Sequence, residues 1–235
     1  MHDYGSIAAQ HYAAYRPPLH TVIVQEALGA QHFKLALDVG CGTGRSSAAL
    51  LGNCNAVIAI DSSAEMIAQA VADPRIDYRV GDAVDVPVSE SQIDLVSVAG
   101  ALAYVDKTLF TAELRRICKR PAWVLVYDFK VETDEISRDV QLPVLQSEGS
   151  YDHSANLADT AGIETVDVRS CRKSFGATPE QVASVLLANE ARFQLLSNHF
   201  DQSDPGEALM KRLRAEKQRY DLKATVWIAL HQIAV

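Results

Sequence analysis

The stretch formed by residues 35–44, LALDVGCGTG, constrains the fold of this 235-residue chain more than any other. An apolar run ends in three glycines at alternate positions, Gly40, Gly42 and Gly44, and a helix-compatible segment follows over residues 45–51. This order is typical of a buried strand that enters a tight turn and then a helix N-terminus. Because glycine has no Cβ, the backbone N–H groups of such a turn can approach a ligand closely. The stretch therefore predicts a site for a nucleotide-type cofactor.

The composition predicts one cytoplasmic domain, residues 1–235, with 48% hydrophobic residues to fill its core. The net charge of −8 disfavours nucleic acid and acidic membranes as partners. Neither a secretory signal nor an apolar run of about 18 residues is visible, which indicates no membrane partner. The four cysteines have no C-x-x-C spacing and the seven histidines form no cluster, so we expect reduced thiols and no metal.

Strand-like and helix-like segments alternate along the chain, which predicts a doubly wound α/β fold with a mostly parallel sheet. The strands are expected at residues 35–39, 56–60, 76–80, 93–99, 122–129, 164–175 and 225–234.

Helix-start and helix-stop signals predict the remaining elements. One helix is expected after Ser62, with a capping-box pattern through Glu65, and another after Asp106, ending at Pro121. A third is expected around Leu157 and Ala161, closed by Gly162. Two more are expected after Thr178 and Asp204, each of which is followed by a proline. Two helices are therefore expected between the sixth and seventh strands. Residues 131–150 have a weak pattern that indicates a mobile loop or lid.

Polar residues follow the second and third expected strands. In an open α/β sheet, ligands bind at the carboxyl ends of the strands. Asp61 lies 21 residues after Gly40 and can accept hydrogen bonds from two ribose hydroxyls, since Ser62 is the better candidate for the helix cap. Asp82 can accept from an adenine amino group while the Ala83 N–H donates to a ring nitrogen. The alternative for both aspartates is an ordinary cap or turn residue.

The glycine spacing distinguishes this turn from two other phosphate-binding turns. The dinucleotide fingerprint G-x-G-x-x-G would place its third glycine at position 45, which is Arg45. A P-loop would require a lysine that this turn lacks. A nicotinamide oxidoreductase is therefore disfavoured.

The series LALDVGCGTG, AID, GDA and IDLVSVAG resembles the class I S-adenosylmethionine-dependent methyltransferases, most closely their small-molecule branch, from residue 35 to about residue 129. The resemblance implies a seven-stranded Rossmann-like sheet whose last strand is antiparallel, with a helical cap. It implies S-adenosylmethionine as cofactor and S-adenosylhomocysteine as product. The glycines would contact the methionine part, Asp61 the ribose, and Asp82 with Ala83 the adenine. The full set of expected cofactor contacts is Tyr12, Arg16, Gly40, Cys41, Gly42, Gly44, Asp61, Ser62, Met66, Asp82, Ala83, Ala99 and Gly100.

Two members of that set lie in the segment AQHYAAYRP, residues 9–17, which is similar to a segment that covers the cofactor in that branch. There a tyrosine and an arginine, matching Tyr12 and Arg16, approach the methionine end. The arginine suits a carboxylate by its two-pronged geometry. The alternatives are amphipathic packing for Tyr12, a surface ion pair for Arg16 and core packing for Met66. Residues 1–30 are expected to form this covering segment.

The resemblance implies in-line methyl transfer to a small-molecule acceptor at oxygen, nitrogen or a carboxylate. Residues 131–155 and 176–220 are the expected cap and acceptor-pocket insertions. Related enzymes often carry a histidine and an aromatic after strand 4, where this chain has Ala103 and Tyr104, and the usual glycine pair before strand 5 is replaced by the sequence RPAW.

The candidate substrate residues are His11, Tyr104 and His153, any of which could act as a base, with packing or solvent exposure as the alternative. A carboxylate acceptor would instead favour Arg138, Arg172 or Arg192. A protein or RNA acceptor, and a non-catalytic cofactor-binding protein, stay open as alternatives.

Overall fold

A seven-stranded sheet organises the chain in the computed structural model, which describes residue 15, residues 17–146 and residues 151–233. The strands are β1 Phe33–Val39, β2 Cys54–Asp61, β3 Ile76–Val80, β4 Ile93–Ala99, β5 Cys118–Glu132, β6 Ile163–Ala177 and β7 Tyr220–Ile233. Their order in the sheet is β3-β2-β1-β4-β5-β7-β6. The pairs β1–β2, β2–β3, β1–β4 and β4–β5 are parallel, which confirms the predicted mostly parallel α/β sheet.

Helices connect these strands. They are α1 His20–Leu28, α2 Arg45–Leu50, α3 Ala64–Ala68, α4 Lys107–Ile117, α5 Asp134–Asp139, α6 Pro179–Leu187, α7 Glu190–Phe200 and α8 Gly206–Glu216. The chain moves outward from β1 through β2 to β3 and then returns to β4 on the other side of β1. The strand order therefore reverses between β1 and β4, and the carboxyl edge at this reversal is where such sheets bind ligands.

The described residues form two compact units. The sheet unit consists of Pro18–Phe129, Asp152–Cys171 and the chain from Val226 onward, and the helical unit contains Lys130–Tyr151 and Arg172–Thr225. Each unit has its own apolar core. Across the residues that the structure covers, no helix has both the length and the apolar character needed to cross a bilayer.

The core of the sheet unit confirms the predicted amphipathic helix α4. Its Phe110, Leu114 and Ile117 are fully buried and pack with the apolar side chains of the strands. Asp106 caps this helix by accepting hydrogen bonds from the N–H groups of Thr108 and Leu109 at 2.9 and 3.0 Å. An acceptor at this position satisfies N–H groups that have no partner within the helix.

The expectation that Pro121 ends α4 was wrong. The helix ends at Ile117 and β5 begins at the next residue, so Pro121 lies inside the strand. The register of β5 on β4 shifts between the pairs at Ile93 and Leu95, which leaves Pro121 in an irregular part of the ladder. Proline is tolerated there because its missing N–H removes no regular ladder bond.

The helix expected around Leu157 and Ala161 was also wrong, because turns and bends occupy residues 151–162. Asn156 Oδ1 accepts a hydrogen bond from the Ala158 N–H at 2.8 Å, and Asp152 Oδ1 accepts from the Ser154 N–H at 2.9 Å. Such local side-chain bonds offer the backbone an alternative to helical bonds.

Three helices, not two, separate β6 from β7. Helix α6 has the expected capping box, in which Thr178 Oγ1 and the Gln181 side chain each accept from the other residue's N–H. The additional helix is α7, which Asn189 caps by accepting from the Arg192 N–H at 3.0 Å. The weakly patterned segment 131–150 contains the end of β5 and the short helix α5.

Candidate functional site

The three glycines of the turn after β1 all adopt positive φ angles, 69° at Gly40, 53° at Gly42 and 82° at Gly44. Residues with a Cβ rarely adopt this left-handed conformation. The N–H groups of Gly40 and Cys41 both donate to the Ile60 carbonyl, at 2.9 and 3.0 Å, which ties the turn to β2. The residue types of the motif are therefore required by the path of the backbone itself.

The surroundings of the glycines differ in a way that exposes the middle of the turn. A Cβ at Gly40 would lie 2.5 Å from Ala101 Cβ, and one at Gly44 would overlap the phenol of Tyr78. Among the described residues, no atom lies within 4 Å of a Cβ placed at Gly42. The backbone at Gly42 therefore faces open space at the carboxyl edge of the sheet, where a ligand can approach it.

Asp61 connects this turn to the start of α3. Its Oδ2 accepts from the Gly42 N–H at 2.8 Å and its Oδ1 accepts from the Ser63 N–H at 2.9 Å. An ionised carboxylate has about four acceptor positions, so two are left for a ligand.

The expectation that Ser62 caps α3 was wrong. Ser63 is the cap, because its hydroxyl accepts from the Met66 N–H at 3.2 Å and its φ and ψ angles are extended, while Ser62 is exposed. The side chain of Met66 is buried.

The third predicted position follows β3. The Gly81 N–H donates to the Asp61 carbonyl at 3.0 Å, so this turn lies directly beside the end of β2. Asp82 is exposed, and its Oδ1 accepts from the Val84 N–H at 3.0 Å. Ala83 is half-buried against the apolar core of the sheet unit. The structure thus brings the predicted Asp82 and Asp61 to one edge of the sheet.

The turn after β4 lies at the same edge. Gly100 has a φ of 67°, and its N–H donates to the Tyr127 carbonyl at 2.8 Å. A Cβ at this position would lie 3.1 Å from Asp128 Oδ1. The Ala99–Gly100 turn therefore adjoins the side chain of Asp128.

Asp38 is a residue of the site region that the sequence reasoning did not single out. It is fully buried in β1, and its Oδ2 accepts from the hydroxyls of Ser46 and Ser47 at 2.6 Å each. Burial raises the pKa of Asp38 to about 6, although the hydroxyls of Ser46, Ser47 and Ser97 oppose the shift. Asp38 thus holds the first turn of α2 against β1. The sequence feature that could have pointed to Asp38 is its place as the single acidic residue in the apolar run of residues 35–39.

Comparison with known proteins identifies the domain. Residues 37–126 match the family model described as a methyltransferase domain, and this range contains the glycine turn, Asp61, Asp82 and the Ala99–Gly100 turn. The carboxyl edge described above therefore lies in a region that is similar to methyltransferase domains. S-adenosylmethionine is the cofactor of this family.

Individual relatives match part of the chain. The demethylmenaquinone methyltransferase of Renibacterium salmoninarum is 31% identical over 113 residues, which are 47% of this chain and 48% of that protein. The chain spans about half the length of the curated relatives that it matches.

Solved structures share the fold over nearly the whole chain. A protein of Anaeromyxobacter dehalogenans, provisionally named a type II methyltransferase, has a TM-score of 0.64 at 21% identity and covers 93% of this chain and 97% of its own. A geranyl diphosphate methyltransferase in complex with S-adenosylmethionine has a TM-score of 0.51 at 14% identity, covering 96% and 90%. At these identities the likeness shows the methyltransferase fold alone.

The thiol next to the glycines of the turn is unsuited to nucleophilic chemistry. Cys41 is buried, and burial raises the pKa of its thiol well above the usual range, with the charges of Asp38 and Asp61 adding to the shift. All four cysteines are free. The part of the chain that the structure describes contains no group of acidic, histidine or cysteine side chains suited to a metal.

The candidate substrate residues differ in their surroundings. Tyr104 is 65% exposed in a short 3₁₀ turn, Leu102–Tyr104, after β4. His153 is hydrogen-bonded to Asp128 and stacked on Trp227. The third substrate candidate, His11, lies outside the described residues, as do the expected cofactor contacts Tyr12 and Arg16.

Proposed function

We propose that this protein transfers the methyl group of S-adenosylmethionine to a small-molecule acceptor. The observation that carries the proposal is the hydrogen bond from the Gly42 N–H to Asp61 Oδ2, at 2.8 Å, within a turn of three left-handed glycines. This bond joins the carboxyl ends of β1 and β2 into one polar edge that no side chain of the turn covers.

The residues of this edge suit the parts of the cofactor in chain order. The glycine turn with Cys41 would hold the methionine part, to which Tyr12 and Arg16 would also contribute. Asp61, with Ser62 beside it, would accept hydrogen bonds from the ribose. Asp82 and the Ala83 N–H would bind the adenine edge over Met66, and the Ala99–Gly100 turn would face the sulfur.

The cofactor supplies an activated methyl group on a positively charged sulfur. The protein's contribution is then to hold the acceptor in line with the methyl carbon and to exclude water. A small molecule is favoured over RNA by the net charge of −8, since RNA binding needs a basic surface. The relative from Renibacterium salmoninarum, a demethylmenaquinone methyltransferase by name, supports a small-molecule acceptor.

Calorimetry tests the cofactor assignment. We expect the protein to bind S-adenosylhomocysteine at one site and NAD not at all. In Asp61→Asn, at least one of the two backbone N–H groups would face an amide NH₂ in place of an oxygen. Since hydrogen bonds to charged groups are worth about 1.5–3 kcal/mol, the affinity should fall by roughly one to two orders of magnitude.

The matched control is Asp73→Asn. Asp73 also accepts a backbone N–H, that of Arg75 at 2.9 Å, but it precedes β3 at the opposite edge of the sheet. This variant should bind S-adenosylhomocysteine like the unmodified protein. An unchanged dissociation constant in folded Asp61→Asn would remove Asp61 from the site. Absence of any methyl transfer from labelled S-adenosylmethionine across a broad acceptor screen would contradict the enzymatic assignment.

A further inference from the structure

A histidine–aspartate pair lies in the sheet unit, and the cofactor assignment makes no use of it. His153 Nδ1 lies 2.8 Å from Asp128 Oδ2. The imidazole also stacks on the indole of Trp227, with ring centroids 5.3 Å apart and an interplanar angle of 12°. Two independent contacts, one polar and one aromatic, therefore determine both the position and the plane of the imidazole ring.

The pair adjoins the edge proposed to bind the cofactor. Residue Ala99, at the end of β4, is in register with Tyr127, so Asp128 lies opposite Gly100. The carboxylate of Asp128 lies close to the backbone of Gly100, because a Cβ on Gly100 would be only 3.1 Å from Asp128 Oδ1. Asp128 Oδ1 also accepts from the Phe129 N–H at 2.7 Å, which orients the carboxylate.

The loop that carries His153 is held in place. The Ser154 N–H and hydroxyl both donate to Asp152 Oδ1, at 2.9 and 2.6 Å. Leu157 is fully buried, and its N–H donates to His231 Nε2 at 3.4 Å. His153 is thus presented from a packed segment, as a positioned acid–base group requires.

Exposure separates the two members of the pair. The side chain of His153 is 28% exposed and that of Asp128 only 14%. The imidazole also lines a cavity of about 290 Å³, together with Asn156 and Trp227. A small molecule can therefore reach the ring, while the carboxylate is held behind it.

The geometry points to His153 as a general base oriented by Asp128, and so to an acceptor that carries a proton on its nucleophilic atom, a hydroxyl or an ammonium group. This inference rests on the proposed function. A carboxylate beside Nδ1 favours the tautomer with its proton on Nδ1, which puts the basic electron pair on Nε2.

The proton and electron balance of the step is complete without a further reactant. As the acceptor oxygen forms its bond to the methyl carbon, Nε2 takes the hydroxyl proton; an ammonium acceptor would lose its proton to Nε2 first. The carbon–sulfur bond breaks and its electron pair stays on sulfur. With a hydroxyl acceptor, the positive charge passes from the sulfonium to the imidazolium, which Asp128 stabilises. With an ammonium acceptor, the sulfonium charge passes to the methylated nitrogen, and the imidazolium carries the charge of the proton that it took.

A carboxylate acceptor, which needs no base, finds less support. Of the three arginines expected to serve it, Arg172 pairs with Glu132 at 2.9 Å, and Arg138 with Asp134 at 3.8 Å.

The test compares benzene-ring acceptors of similar size whose nucleophilic atom does or does not carry a proton. The unmodified protein is incubated with labelled S-adenosylmethionine and phenol, benzyl alcohol, benzylamine or benzoate. We expect methylation among the three protic compounds and none of benzoate. His153→Asn keeps an amide donor for Asp128 but lacks Nε2, and His153→Gln places an amide near the Nε2 position. Both should lose about 10²- to 10⁴-fold in kcat, while binding S-adenosylhomocysteine within twofold of the unmodified protein.

Two further variants complete the design. His32→Asn replaces an exposed histidine that precedes β1 at the opposite edge, and should leave kcat unchanged. Asp128→Asn removes the charge that stabilises the imidazolium, so the acid limb of its pH–rate profile should move to lower pH. A merely structural role for Asp128 would not shift that limb.

The outcomes distinguish the two proposals. The base assignment would be overturned by unchanged kcat in both His153 variants or by an unshifted pH–rate profile in Asp128→Asn. It would also be overturned if the protein methylated benzoate alone, or if it bound S-adenosylhomocysteine but methylated none of the protic compounds. Failure of the unmodified protein to bind S-adenosylhomocysteine would instead overturn the proposed function.

Discussion

The substitution Gly44→Ala tests why the turn after β1 needs glycine at its last position. Gly44 has a φ of 82°, and forcing a residue with a Cβ into this region costs about 1–2 kcal/mol. The new Cβ would also overlap the Tyr78 phenol, lying 2.7 and 2.9 Å from Cζ and Cε1. That ring cannot move freely, because its hydroxyl donates to the Val71 carbonyl at 2.9 Å.

Overpacking of this kind costs typically about 1–3 kcal/mol. The two contributions together predict that Gly44→Ala lowers the free energy of unfolding by about 2–5 kcal/mol. Equilibrium urea unfolding, followed by tryptophan fluorescence and circular dichroism, measures this loss.

Two other glycines separate the contributions. Gly42→Ala should show the backbone cost alone, about 1–2 kcal/mol, because its φ is 53° and a Cβ there has no described neighbour within 4 Å. Gly52→Ala should show neither cost, since Gly52 does not have a positive φ and its Cβ would lie an ordinary 3.7 Å from the Ala49 carbonyl. In a double-mutant cycle, Tyr78→Ala should remove the steric part of the Gly44→Ala loss. Equal losses for Gly44→Ala and Gly42→Ala, or no coupling to Tyr78, would refute this reasoning.

Three further predictions concern pH and the N-terminal segment. Burial raises the pKa of Asp38 to about 6 from 3.8, so the stability from this group is fully present below pH 3.8 and lost as pH rises through 6. Urea unfolding should show a loss of about 3 kcal/mol over this range, and Asp38→Asn should abolish it. An equal dependence of the unfolding free energy on pH in Asp38→Asn and the unmodified protein would contradict this assignment. Burial lowers the pKa of His231 to about 4 from 6.5, so the pH dependence of its contribution to stability is the reverse of that of Asp38. The stability from His231 is present above pH 6.5 and lost as pH falls through 4. His231→Gln should remove this loss of unfolding free energy at acid pH. Deletion of residues 1–16 should leave a folded sheet unit by circular dichroism with weaker S-adenosylhomocysteine affinity, whereas an unchanged dissociation constant would exclude Tyr12 and Arg16 from the site.

The first four strands were predictable because each is a short apolar run with a turn signal after it. Strands β3 and β4 match their predicted bounds, and β1 and β2 begin two residues before theirs. The three glycines, Asp61 and Asp82 were placed correctly at one edge because parallel strands end together.

The remaining features depend on contacts between residues far apart in sequence. The overlap of Gly44 with Tyr78 spans 34 residues, and the bond between Asp128 and His153 spans 25. No local pattern reports such pairs. The choice of Ser63 over Ser62 as the cap of α3 depends on Asp61, which accepts the Ser63 N–H. Helix α7 was missed although its start signal, Asn189, and the buried Phe193 and Leu196 at helical spacing are present in the sequence.

A titration of the ¹⁵N-labelled protein with S-adenosylhomocysteine tests the central claim most directly, because it reports each backbone amide of the proposed site. We expect the largest saturable shifts at the amides of residues 40–44, at Ser62 and Ser63, at Ala83 and at Gly100, and none of these shifts with NAD. Saturable shifts confined to the helical unit, or equal shifts with NAD, would contradict a methyltransferase cofactor site at the carboxyl edge of this sheet.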